Sequence, residues 1–229
     1  MKRIVIAGAT GQVGRNLVAD LAVRADCRVV ALVRKTGSLT AQAPELSELS
    51  FDFEDPAAYA RLGQEDGLPC DVLFIALGTT RAKAGAAAFW HVDRDYPVQL
   101  IQALAKSNPG ARVGLVSSVG ADKPTGLYLR AKAEVESALG ASGLAHAIAR
   151  PSFLLSRRKE FRFGEVVVAR FLAPPWLWLG RHLFPRSPWF WKLAPVKVEE
   201  VAASLLGATL ELPPGAARIL EGLDLRVAP

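Results

Sequence analysis

The stretch IVIAGATGQVGRNL, residues 4–17, constrains the fold more than any other part of the chain. An apolar, strand-like run leads without a linker into Gly8, Gly11 and Gly14, and a helical pattern begins at residue 12. Glycine suits such a junction for physical reasons. It allows the tight turn, lets the backbone approach a bound group, and lets the helix pack near the strand. The first N–H groups of the helix then point out of the turn and suit a phosphate. A buried strand followed at once by a helix also calls for parallel neighbours to cover both of its faces.

The next 130 residues supply those neighbours. Strands are predicted at 3–8, 28–33, 49–53, 71–77, 112–118 and 145–150, each continuously apolar rather than alternating. Helical patterns fall at 12–24, 56–62, 88–106 and 125–140, with a last helix at 197–211. This alternation predicts an α/β fold with a doubly wound parallel sheet and right-handed crossovers. The 229 residues are expected to form one domain, with a small C-terminal cap over 151–195, where prolines and tryptophans become frequent.

The glycine turn reads as a dinucleotide site, with Gly8, Thr10, Gly11, Gln12, Val13 and Gly14 around the pyrophosphate. An NAD site usually places an acid about 20 residues further on, near the end of the second strand. Here that position holds Arg34, followed by Lys35. A guanidinium pairs with a 2′-phosphate that a carboxylate would repel, so NADP is the expected cofactor. Asp52 and Phe53 follow the third strand and are candidates to flank the adenine, while Asp55 reads as a helix N-cap before Pro56. Leu77, Gly78 and Thr79 end the fourth strand, where ligands of such sheets sit.

The chemistry is expected further along, in LVSSVGADKPTGLYLRAK. Tyr128 and Lys132 are four residues apart and share a helix face, ten residues beyond a strand-end serine. The helical phase puts Tyr128 within an apolar stripe and Lys132 at its edge. An ammonium stabilises a neighbouring phenolate, and a serine hydroxyl can hold a carbonyl oxygen while hydride arrives from a nicotinamide. Adjacent strand residues point to opposite sides, so Ser117 and Ser118 compete for that role, and Ser118 is the one expected to fill it. Glu134 and Glu136 read as ordinary helix-surface carboxylates.

Together the glycine turn, the strand-end serine and Y-x-x-x-K resemble the short-chain dehydrogenase/reductase superfamily. More narrowly, LGTTRAKAG, VDRDYP, SSVGAD and YLRAKAEVE resemble its atypical, Tat-interacting-protein-like branch, over roughly residues 3–155. The resemblance implies a Rossmann-type NADP-binding fold with Ser118, Tyr128 and Lys132 in the active site. It also implies cofactor contacts at Arg34, Leu77 and Gly78, and beside the nicotinamide from RPSFLL, where Pro151 and Phe153 lie. One departure matters: Asp93 stands where extended members of the superfamily often carry an asparagine. The expected activity is reduction of a carbonyl or activated double bond of a small or acyl-type substrate. The competing reading is an NADPH-binding regulatory or scaffold protein with little turnover.

Charge locates the remaining question. Residues 150–192 hold nine of the 28 basic and two of the 22 acidic residues, leaving 19 and 20 elsewhere. A basic character confined to one segment argues against a nucleic-acid coat and for a local anionic partner. Four of the five tryptophans lie there as well. The cap is read as packed over the sheet edge, as a pocket for an anionic or acyl substrate, or as a membrane or protein contact through 171–192. Arg81 and Lys83 are candidates for a substrate anion. His91, His146 and His182 lack ligand spacing, so no metal is expected. Cys27 and Cys70 fit no disulfide framework, and with no leader or membrane span expected, the cytoplasm is the expected location.

Overall fold

The computed structural model describes residues 1–79, 81–155, 176, 178, 183 and 187–226; for 81–84 and 86 it describes the backbone only. Arg81 and Lys83, as substrate contacts, and most of the basic cap, with His182, lie outside the described side chains.

Nine strands are described: β1 Lys2–Ala7, β2 Cys27–Val33, β3 Leu46–Ser50, β4 Val72–Ile75, β5 Arg112–Val116, β6 Ala145–Ala149, β7 Leu154–Leu155, β8 Val196–Lys197 and β9 Ala217–Leu220. Seven form one sheet in the order β3-β2-β1-β4-β5-β6-β9, and every pairing in it is parallel. β7 and β8 make a separate two-stranded pair. The order reverses between β1 and β4, so a crevice opens there at the carboxyl ends of the strands.

The α-helices named among the described residues are α1 Gln12–Ala22, α2 Pro56–Ala60, α3 Arg81–Trp90, α4 Tyr96–Ser107, α5 Gly126–Ala141, α6 Pro188–Leu193 and α7 Val198–Glu211. Strand alternation explains the two cores. Ile4, Ile6, Val72 and Phe74 face one side, where Leu17, Leu21, Val201 and Leu205 from α1 and α7 cover them. Val5, Ala7, Leu73 and Ile75 face the other, beneath Tyr59, Leu100, Leu104, Val135 and Leu139 from α2, α4 and α5. Both faces of β1 and β4 are therefore covered, which is why their sequences are apolar without a break. This is the Rossmann-type arrangement expected from the sequence.

Local signals hold where they are strong. Asp55 caps α2, its carboxylate accepting the Ala57 N–H at 2.9 Å, with Pro56 in the first turn. The third strand is displaced from 49–53 to Leu46–Ser50 because it lies at the sheet edge. None of its own residues is buried, whereas Phe51 and Phe53 beyond its end are buried in the second core. β9 escapes sequence reading, being four residues long with three of them exposed. The helix expected at 88–106 is interrupted. α3 is kinked at Gly85, whose φ of 76° is left-handed, and a π-helical turn, His91–Asp95, separates it from α4.

Candidate active site

Two recesses adjoin at the crevice. The larger, about 880 Å³, is lined by Gly8, Thr10, Gly11, Arg34, Asp52, Phe53, Leu77, Gly78, Thr79 and Tyr96. The smaller, about 510 Å³, is lined by Gly11, Gln12, Val13, Leu77, Gly78, Thr79, Asp93, Ser117, Ser118, Tyr128, Lys132 and Pro151. The loop after β4 and the glycine turn after β1 belong to both. Of the residues expected at the site from sequence, Gly14, Lys35 and Phe153 line neither recess. Gly14 acts in packing, Lys35 is exposed, and Phe153 is 63% exposed.

The glycine turn has the shape of a phosphate cradle. A Cβ on Gly14 would come 2.1 Å from the Gly8 oxygen, and one on Gly8 would come 2.5 Å from the Ala76 carbonyl. Gly8 also has φ of 90°. Only glycine fits where backbone lies this close to backbone. α1 starts at Gln12 with no side-chain cap and no acid in its first turn. Its leading N–H groups have no partner inside the helix, so the end suits an anion. The residues therefore fit the pyrophosphate of a dinucleotide.

The outer end of the larger recess is aromatic and charged. Phe53 stacks on Tyr96, with ring centroids 5.2 Å apart and planes at 28°. The Tyr96 hydroxyl donates to Glu54, and Asp52 turns back to accept the Glu54 N–H at 2.9 Å. Both nearby acids are thus engaged locally. Arg34 forms no hydrogen bond or ion pair among the described residues and is exposed beside them. Sequence reading missed Tyr96 because its ring reaches Phe53 only through the fold, although VDRDYP contains it.

At the inner end, α5 supplies Tyr128 and Lys132. Ala131, Val135 and Leu139 bury the helix face against the sheet, and Lys132 is buried with them at 5% exposure. Tyr128 lies on the same side but is 45% exposed, since the first turn of α5 overhangs the open recess rather than the sheet. The apolar stripe expected around Tyr128 therefore describes the later turns of α5 and not its first. The Lys132 ammonium is 6.0 Å from the centre of the Tyr128 ring and donates to the Leu77 carbonyl at 3.3 Å.

Lys132 also meets Asp93, 1% exposed, in the π turn; their nitrogen and oxygen are 3.1 Å apart. The other Asp93 oxygen accepts the Thr79 N–H at 2.8 Å. The oxygen facing Lys132 receives no well-aligned hydrogen bond, so that contact is chiefly Coulombic.

The two serines differ. Ser117 is 3% exposed and its hydroxyl donates to Glu136. Among the described residues, the Ser118 hydroxyl has only a 3.4 Å contact with the Val119 carbonyl. Glu136 departs from its sequence reading. It is not a surface carboxylate, because the Arg150 side chain from the end of β6 binds it at 2.6 Å and 3.0 Å and leaves it 9% exposed. Glu134 does lie at the surface, paired with Arg94 at 2.9 Å. Among the described residues, no group of His, Cys, Asp and Glu is placed to hold a metal ion.

Comparison with known proteins agrees with this geometry. Residues 8–167 match a family described as NAD(P)H-binding. Protein HTATIP2 of Rattus norvegicus is 34% identical over 194 residues, which span 83% of this chain and 73% of that protein. The mitochondrial protein fmp52 of Emericella nidulans is 30% identical over 233 residues, covering 98% of this chain and 97% of its own length. Among solved structures, the oxidoreductase ylbE of Lactococcus lactis superposes with a TM-score of 0.65 at 19% identity, over 94% of this chain and 88% of that one. The Bordetella bronchiseptica enzyme WbmH, in complex with NAD+, gives 0.69 at 15% identity over 96% and 75%.

Proposed function

From the premise that the chain belongs to this NAD(P)H-binding family, with the fold of its oxidoreductases, we propose that it is an NADP(H)-dependent reductase acting on a carbonyl or activated double bond. One observation carries the reading. Tyr128, Lys132 and Ser118 meet the glycine turn and the 77–79 loop in a single recess. A bound reduced nicotinamide would supply hydride there. The Tyr128 hydroxyl then donates a proton to the substrate oxygen, and Ser118, whose hydroxyl is lightly engaged, orients that oxygen. Lys132 places a cation beside the phenol as its proton leaves.

The NADP preference rests on Arg34, exposed at the end of β2 with no acid bound to it among the described residues, while Asp52 and Glu54 are tied to neighbouring groups. Replacing Arg34 with Ala should weaken NADPH binding about tenfold and leave NADH binding nearly unchanged, as one surface phosphate contact would. Calorimetry with both cofactors measures this, and equal losses for the two would remove the argument. For the chemistry, NADPH consumption is followed across a panel of aldehydes, ketones and enones. Tyr128→Phe should lower the rate at least about 100-fold. An undiminished rate would sink the mechanism. Tight NADPH binding with no turnover by the unaltered chain would instead favour a regulatory role.

A further inference from the structure

Asp93 is the buried charge that this mechanism does not use. Its π turn places the carboxylate between two parts of the site: one oxygen on the Thr79 N–H, the other 3.1 Å from the Lys132 ammonium. π turns of this kind recur at functional sites. The other charges nearby are already matched. Arg94 pairs with Asp95 and Glu134, and Glu136 pairs with Arg150. The end of β5 contributes only the neutral Ser117 and Ser118, and α3 sets Phe89 against Tyr128. Among the described residues, Lys132 and Asp93 are therefore the charges that face the phenol.

We propose that Asp93 acts on the tyrosine through Lys132, holding the ammonium against the 77–79 backbone and offsetting its charge, so that Tyr128 keeps its proton as a donor at neutral pH. This rests on the reading of Tyr128 and Lys132 given above. An uncompensated ammonium would favour the phenolate, which cannot donate. Asp93 is a positioning residue in this account, since it reaches the reacting atoms only through another side chain.

The test is an ultraviolet titration of tyrosine in the full chain without cofactor. Of the three tyrosines, Tyr96 is pushed up to about 12 by burial and its bond to Glu54, and burial raises Tyr59 further. The phenolate step that vanishes in Tyr128→Phe is the one assigned to Tyr128. Asp93→Asn keeps an acceptor for the Thr79 N–H, removes the charge and turns an amide donor toward Lys132. Its phenolate midpoint should fall by about one pH unit, a tenfold change in proton affinity. In a Lys132→Met background the same substitution should shift the midpoint by less than half as much. An unchanged or raised midpoint in Asp93→Asn overturns the proposal, as does an equal shift with and without Lys132.

Should Asp93→Asn fail to fold, Lys132→Met alone decides. The buried Asp93, without its cation, should take up a proton and show a carboxylic-acid carbonyl band in the infrared at neutral pH. Absence of that band overturns the proposal. Neither measurement needs cofactor or substrate, so a chain that turns over nothing leaves this result readable on its own.

Discussion

Helix α5 carries two ion pairs one turn apart, the buried Lys132–Asp93 and the partly buried Glu136–Arg150, and they are built differently. In the second, the guanidinium reaches Glu136 through Nε and Nη2 and Glu221 through Nη1, while Ser117 donates to Glu136 and Lys192 reaches Glu221 at 2.9 Å. The hydrogen bonds that the guanidinium donates to Glu136 hold it even more firmly protonated than usual, against the opposing effect of burial. In the first pair, the ammonium has the Leu77 carbonyl and one carboxylate oxygen, and that oxygen has no aligned donor. A satisfied network fixes structure, binding β6, α5, α6 and the chain after β9 to one another. An under-satisfied pair in a recess has capacity left for a ligand or a moving proton.

That contrast can be broken by stability measurements. Replacing Arg150 with Met leaves Glu136 and Glu221 without their shared cation, and should cost about 3–5 kcal/mol in denaturant unfolding. A loss below about 1 kcal/mol would mean that the network is not structural. Lys132→Met should cost less, about 1–2 kcal/mol, because Asp93 keeps its bond to Thr79 and can neutralise itself with a proton. Equal losses for the two variants would erase the distinction between the pairs.

The half-exposed pair of Arg3 and Asp71 sets the baseline. Its removal by Asp71→Asn should cost no more than about 1 kcal/mol. Here the sign with pH is definite. The hydrogen bond from Arg3 holds the Asp71 carboxyl below its ordinary range. The stabilisation is therefore complete above the ordinary aspartate range, near pH 4 and upward, and is lost as pH falls through the lowered folded-state value. Asp71→Asn should unfold with less dependence on pH below about 4 than the unaltered chain; an identical pH dependence would remove Asp71 from the account.

What could be read in the sequence follows the range of the interactions. The glycine turn, the Asp55 cap and the Tyr128–Lys132 spacing are local, and each is a physical requirement met within a few residues. The central strands were legible because burial on both faces leaves a continuous apolar run. β3 and β9 were not well placed, since edge strands expose residues and lose that signature. The roles of Asp93 and Glu136 depend on partners 39 and 14 positions away, brought close by a π turn and by the end of β6. Spacing along α5 alone could mark Lys132 as interesting, but could not show that an acid already holds it. Arg150, counted from sequence in the basic segment, turns inward and contributes nothing to a free basic surface.

The two cysteines have a practical consequence. Cys27 and Cys70 are both buried, and burial raises both thiols above their ordinary range, so little reactive thiolate is offered to solvent. A single new cysteine at exposed Phe153, beside the inner recess, would therefore be labelled selectively by a maleimide fluorophore, with no need to remove the native thiols. The emission of that label could then report, in real time, whether the rim of the recess responds when a nucleotide is added.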